Sequence, residues 1–371
     1  METKNEPKAK ERLYSLDTLR GFDMLWIIGG GSVIHALAKA TNWGWVEAWS
    51  HQLHHANWEG FHFEDLIFPL FMFISGVAIP YAITSRLEKG TKKSELVKKV
   101  FKRMILLVLF GLAYNGALKH GFSDLRYASV LSQIGIAYFF AALIVIYTKN
   151  LKTRIFWLLG ILAGIAALQL LVNIPGFNAG ELSRDGGINA WIDQNFLPGR
   201  LYGKTYDPEG LLCIVSATSV TLMGTFAGNI LRNKTFTQNK KASFLLISGV
   251  VLISIALALS PVYPIIKKLW TVPFNIIAAG SSFLLLSLFY YIIDVKMWRG
   301  WIFFFQVIGL NSITIYMGVR IIDFQSISEF FTGWIANPIG AFGAVIIALG
   351  AIAVEWLLLY YLYKNKIFLR V

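Results

Sequence analysis

The chain has one cysteine, Cys213, in 371 residues. An internal disulfide is impossible, and cysteine-based redox motifs and cysteine-rich zinc sites are excluded. Charge is also scarce: 15% of residues are charged, where a soluble domain carries about 25%. Low-complexity tracts and repeats of about 20–50 residues are missing, which excludes solenoids and arrays. What fills the chain instead is apolar. Hydrophobic residues make up 56%, with 28 Phe, 15 Tyr and 12 Trp. That much apolar surface rules out disorder and cannot be hidden inside a water-soluble globule. The remaining class is all-α, a polytopic transmembrane helical bundle.

A spanning helix needs about 20 mostly apolar residues. About ten such segments are expected, at 16–38, 65–85, 104–118, 128–148, 155–174, 210–231, 242–260, 271–293, 300–319 and 338–363. The chain is then a single transmembrane domain over 1–371, with a polar tail at 1–15 and outer-side loops at 39–64 and 175–209. An even number of spans puts both ends on one side. The net charge of +13 says which side. On the side of the termini fall 24 of the 34 Lys and Arg, including Lys4, Lys8, Lys10 and Arg12 in the tail and eight cations between 86 and 103. The positive-inside bias makes that side cytoplasmic. The basic excess therefore follows topology, and nucleic acid is not an expected partner. No removable signal segment is expected at the polar N-terminus. The expected location is the cell's inner membrane, as a multi-pass protein in the lipid bilayer.

Ionisable groups inside a span are costly, so they are either paired or functional. Asp17, Arg20 and Asp23 are spaced i, i+3, i+6 in the first span and share one helix face. They make either a self-neutralising ladder or the polar floor of a cavity. Gly29, Gly30 and Gly31 follow, weakening the helix but allowing a backbone or ligand to come close. Four of the six histidines lie within twelve residues of the first outer loop: His51, His54, His55 and His62. Their spacing matches no strong zinc signature, so no metal is expected. A histidine here suits a general base or an acyl-accepting nucleophile. In the second outer loop, Asp207-Pro208-Glu209 reads as a helix start, with Asp at N-cap and Pro at N1. The same two carboxylates also suit a cationic or hydroxyl-rich ligand. Asn115, Gln133, Asn275, Asn311 and Glu355 are polar positions at membrane depth that read first as helix–helix hydrogen bonds.

Several short stretches occur in one order along nearly the whole chain. They are Ser15-Leu16-Asp17-Thr18-Leu19-Arg20-Gly21, His55-Ala56-Asn57-Trp58-Glu59-Gly60, Asp65-Leu66-Ile67-Phe68-Pro69, Tyr206-Asp207-Pro208-Glu209-Gly210-Leu211 and Lys268-Leu269-Trp270. Asp294-Val295-Lys296, Gly309-Leu310-Asn311-Ser312 and Lys366-Ile367-Phe368 complete the set. With them the chain resembles the heparan-α-glucosaminide N-acetyltransferase family, including its bacterial glucosamine-acetylating members. It departs at Glu59, where the lysosomal enzyme has Asn, at Ser132-Gln133 and at Gly318-Val319-Arg320.

The resemblance implies transfer of acetyl from cytoplasmic acetyl-CoA to a glucosamine-type amine on the far side of the membrane, without a metal. It also implies a homodimer. His55 takes the position of the family's catalytic histidine, as general base or acyl carrier, and Asp65 is the candidate that orients its ring. Asp17, Arg20, Lys99 and Arg103 are candidates for holding the donor, whose phosphates suit the basic side. Asn57, Glu59, Asp207, Glu209 and Asn311 are candidates on the acceptor side, with Asn57 or Asn311 donating to the developing oxyanion. The competing readings are an amino-sugar or glycan-fragment transporter without chemistry, and an acyltransferase for another glycan or a lipid-linked acceptor.

Overall fold

A computed structural model describes residues 13–369. The tail cations Lys4, Lys8, Lys10 and Arg12 lie outside the described residues. The first helix, α1 (Tyr14–Leu25), runs through a wide turn at Trp26–Gly30 into α2 (Gly31–Ala40). Gly29 has φ +141°, a conformation L side chains rarely adopt, and this is the use made of the glycine run. The wide turn widens the helix where Trp26 and Ile27 enter a cavity wall. The loop after α2 contains α3 (Gly44–Gln52), and α4 is Phe63–Ile79. α5 is Lys93–Tyr114, α6 Val130–Tyr147 and α7 Leu151–Leu171. The loop after α7 folds α8 (Gly187–Phe196), followed by α9 (Leu211–Arg232), α10 (Gln238–Leu259) and α11 (Val272–Tyr290).

The last third is broken into short pieces. α12 (Ile302–Leu310) and α13 (Ser312–Ile321) meet at Asn311 with a bend of 73°. α14 (Phe324–Ala336) then pairs with α15 (Phe342–Lys364). Backbone breaks at membrane depth are tolerated where protein or a cavity covers them.

Among the described residues, eight helices are long and apolar enough to cross a membrane, nine if the bent pair counts as one span. The expected count of about ten differs at one place. The segment read as 104–118 is the second half of α5, whose first half carries Lys98, Lys99, Lys102 and Arg103. Those cations remove α5 from the set of apolar spans. The stretch before the tenth expected span is not a loop but α14.

The centre of the bundle is α4, α9 and α11, the most enclosed of the apolar helices. α4 and α9 touch at backbone distance through glycines. A Cβ on Gly76 would lie 2.0 Å from Thr221 O, and one on Gly224 would lie 2.2 Å from Phe73 O. Apolar burial does not drive helices together in lipid, so close packing of small residues supplies the contact. Gly76→Ala forces these helices apart. The expected cost is about 1–3 kcal/mol, read as a lowered melting temperature of the detergent-solubilised protein. A variant with unchanged thermal stability would show that this contact does not hold α4 in place.

Candidate active site

Two polar reagents converge at the start of α4. His62 is the N-cap, and Asp65, three residues on, bonds back to its backbone N–H at 3.0 Å, forming a capping box. Asp65 Oδ2 also accepts from Ala56 N at 3.2 Å. Its other oxygen, Oδ1, lies 2.9 Å from His55 Nδ1. Asp65 is 1% exposed, while the His55 side chain is 52% exposed. One buried carboxylate therefore clamps the loop at two backbone points and holds the imidazole at a third. With its proton on Nδ1, the neutral ring donates to Oδ1. Nε2 keeps a free lone pair.

A third group completes the arrangement. Lys267 Nζ is 3.1 Å from His55 Nδ1 and 3.4 Å from Asp65 Oδ1. Burial lowers its proton affinity, while Asp65, Glu64 and Glu209 oppose that shift. Lys267 sits on a short helical turn, Lys267–Leu269, pinned by the fully enclosed Trp270 ring that follows. The neighbouring Lys268 Nζ donates to Asn57 O at 2.7 Å, and Gly60 N donates to Ile265 O at 2.9 Å. The turn and the His55–His62 loop are thereby laced together. Trp58 Nε1 donates to Leu182 O at 2.8 Å, extending the lacing to the segment before α8.

These groups line one end of a cavity of about 450 Å³. Arg126 and Glu209 also line it. Arg126 donates to both oxygens of Asp207, at 2.7 and 2.5 Å, and also to Glu209. Burial alone would lower the basicity of Arg126, but Asp207 and Glu209 outweigh it and raise it. Burial raises the proton affinity of Glu209, and Arg126 opposes the shift. Asp207 does not cap α9. Gly210 is the N-cap, and the N–H groups of Leu211 and Asp207 are bonded at 3.0 Å each by Asp193, which reaches over from α8. Burial pushes the Asp193 carboxyl up to about 6 against those two bonds.

A second cavity of about 250 Å³ lies on the side of the basic start of α5. Arg20 and Arg103 line it. Phe71, Leu131, Ile134, Ser312 and Ile313 line both cavities. The two cavities therefore adjoin along these residues. Arg103 lies over the ring of Tyr138, 4.2 Å from its centroid.

The structure thus brings together His55, Asp65 and Glu209, and separately Arg20 and Arg103. Asp17 lies 3.9 Å from Arg20 without lining the cavity, and Lys99 is exposed on α5. Asn57 and Glu59 are exposed outside the chamber. Asp207 is buried and engaged by Arg126. Asn311 is engaged elsewhere: its amide donates to Ile367 O at 3.1 Å, and its oxygen accepts from Leu369 N at 3.3 Å. It ties the C-terminal segment to the helix break and offers no donor at His55. Asp23, on the face shared with Asp17 and Arg20, is fully buried, and its oxygens have no hydrogen-bond partner among the described residues. His54 stacks on His35 with centroids 4.3 Å apart, and His62 Nδ1 donates to His54 O. Among the described residues no group of three or more His, Cys, Asp or Glu is placed to hold a metal ion.

Sequence reasoning missed Lys267 and Arg126, which it counted only as loop cations. The available signals were the Lys268-Leu269-Trp270 match next to Lys267 and the paired acids at 207 and 209, which need a cation once buried.

Residues 12–184 match a family described as a domain of unknown function, DUF5009. The chain is 27% identical over 421 aligned positions to the heparan-alpha-glucosaminide N-acetyltransferase of Mus musculus, covering 98% of this chain and 61% of that protein. Against the Homo sapiens protein of the same name it is 27% identical over 426 positions, covering 97% of this chain and 60% of that one. The chain spans about 60% of the length of the curated relatives it matches.

Proposed function

We propose that this protein is a membrane N-acetyltransferase that uses acetyl-CoA and acetylates the amine of a glucosamine-type sugar across the bilayer. The single observation that carries the reading is the pair of cavities that adjoin along one shared wall, with Arg20 and Arg103 in one and His55 in the other. A CoA thioester is a slim arm on a phosphate-bearing handle. The guanidinium groups suit the phosphates. The arm then enters between Phe71, Leu131 and Ser312, and its thioester meets the imidazole. The names of the two relatives support the acetyl donor and the amine acceptor.

The chemistry follows from the ring's tautomer. Asp65 holds Nδ1–H, so the Nε2 lone pair is free for the reaction. As general base, His55 takes a proton from the sugar amine as its nitrogen attacks the thioester carbon. The C–N bond forms, the C–S bond breaks, and the CoA thiolate takes up a proton as it leaves. A positioned base contributes about 10²–10⁴ in rate. As acyl carrier, Nε2 attacks first and then passes acetyl to the amine. Both routes need the same imidazole. Glu209, facing the chamber beside Arg126, is the acceptor-side group for sugar hydroxyls. Asn57 and Glu59 lie beyond the chamber, where they would meet only the further part of a longer acceptor.

The test is direct. Purified protein in lipid nanodiscs receives acetyl-labelled CoA and glucosamine, and the product is N-acetylglucosamine. A set of glycan ends and lipid-linked amines then defines the acceptor. Movement of unmodified amino sugar across proteoliposomes, with no acetyl transfer to any amine, would replace the enzyme reading with a transporter.

A further inference from the structure

We propose that Lys267 is the positioning residue that sets the charge of the His55–Asp65 pair, keeping the imidazole free to take a proton and driving that proton off afterwards. The inference rests on the acetyltransferase reading and extends it to a residue outside the expected site.

Two groups compete for a single oxygen. Asp65 Oδ2 is occupied by the backbone N–H groups of Ala56 and His62, at 3.2 and 3.0 Å. Oδ1 alone faces both the imidazole, at 2.9 Å, and the Lys267 ammonium, at 3.4 Å. With neutral His55, the cluster holds one positive charge against one negative. Once Nε2 takes the acceptor's proton, an imidazolium and an ammonium stand 3.1 Å apart and share that oxygen. Like charges at this distance in a partly buried site repel strongly. Solvent screens the imidazole, which is 52% exposed, more than the Lys267 side chain, which is 16% exposed.

The anions around this contact offset only part of the repulsion. Glu64 faces the cluster from α4, and Glu209 faces it from the turn before α9. Glu209 is already bonded to Arg126. Lys268 follows on the same turn and points to Asn57 O. Without Lys267, Asp65 would serve the imidazole alone, and the protonated ring would be favoured. A base that holds its proton cannot start the next cycle.

The experiment is the pH dependence of kcat/KM for acetyl-CoA and glucosamine in nanodiscs, for the unaltered protein, Lys267→Met and Lys267→Arg. In Lys267→Met the acid limb moves to higher pH by about one unit, so activity is about tenfold lower on the acid side and the gap narrows as pH rises. Lys267→Arg keeps a cation and keeps the original limb. Binding of acetyl-CoA and elution as a single monodisperse species show that each variant is folded. A uniform loss across pH in Lys267→Met, or an unmoved limb, overturns the proposal. Should Lys267→Met fail to fold, an acid limb in Lys267→Arg displaced upward from that of the unaltered protein overturns it, and an undisplaced limb supports it. Should the unaltered protein acetylate no amine at all, the failure belongs to the acetyltransferase reading.

Discussion

His55→Ala is expected to lose at least about a hundredfold in acetyl transfer while inserting and folding normally. The ring is 52% exposed, and its one close carboxylate contact is Asp65, so its removal opens no core cavity. Asp65 remains held by the N–H groups of Ala56 and His62, and Lys267 remains as its counter-ion. The loop therefore keeps its shape. The measurement is single-turnover acetylation by the purified variant, beside its thermal stability. Acetyl transfer at nearly the unaltered rate would remove His55 from the chemistry. His55→Gln keeps volume and hydrogen bonding but has no titratable nitrogen, so it is expected to be as inactive as the alanine variant. Asp65→Asn is expected to disturb more than rate, since the same carboxylate closes the capping box of α4.

The second large effect is expected at the other cavity. Arg103→Gln removes one of the two guanidinium groups that line it, and a charged hydrogen bond to phosphate contributes about 1.5–3 kcal/mol. The expected result is a rise of about 10–100-fold in KM for acetyl-CoA with kcat nearly kept, because the lost contact acts equally before and during the reaction. Arg20→Gln is expected to act in the same direction. A salt titration checks the cause, since phosphate contacts made by exposed lysines weaken with ionic strength more than those in a closed cavity. An unchanged KM in Arg103→Gln would place the donor elsewhere.

The two effects divide the reaction between the ends of one passage, and they separate in the kinetics. Loss at His55 falls on the chemical step, and loss at Arg103 falls on donor binding. A bulky residue at the shared wall tests their connection. Ser312→Trp fills the boundary between the cavities and is expected to abolish transfer from acetyl-CoA while leaving His55 and Asp65 untouched. Full activity in that variant would mean that the donor does not pass the wall.

Composition and hydropathy already specify an all-helical multi-pass protein, because no other structure satisfies the backbone of so apolar a chain. Local rules reach further at α4, where His62 and Asp65 have the spacing of a capping box. They fail four residues before α9. There Asp207 looks like an N-cap, but the helix start is bonded by Asp193, which approaches from another helix. They fail again at Asn311, a polar residue at a helix break whose amide is taken up by the C-terminal segment.

By itself the sequence determined which segments are apolar, where cations accumulate, and that a histidine-rich loop adjoins an acidic helix start. Those are properties of neighbours, set by spacing and side-chain chemistry. The tertiary structure alone decided that Lys267 stands against a ring 212 positions away and that Arg126 answers Asp207 across 81. It also decided that two cavities adjoin along one wall. Folding of the chain, not any local periodicity, settles which charges meet once water is excluded, and burial makes those meetings matter.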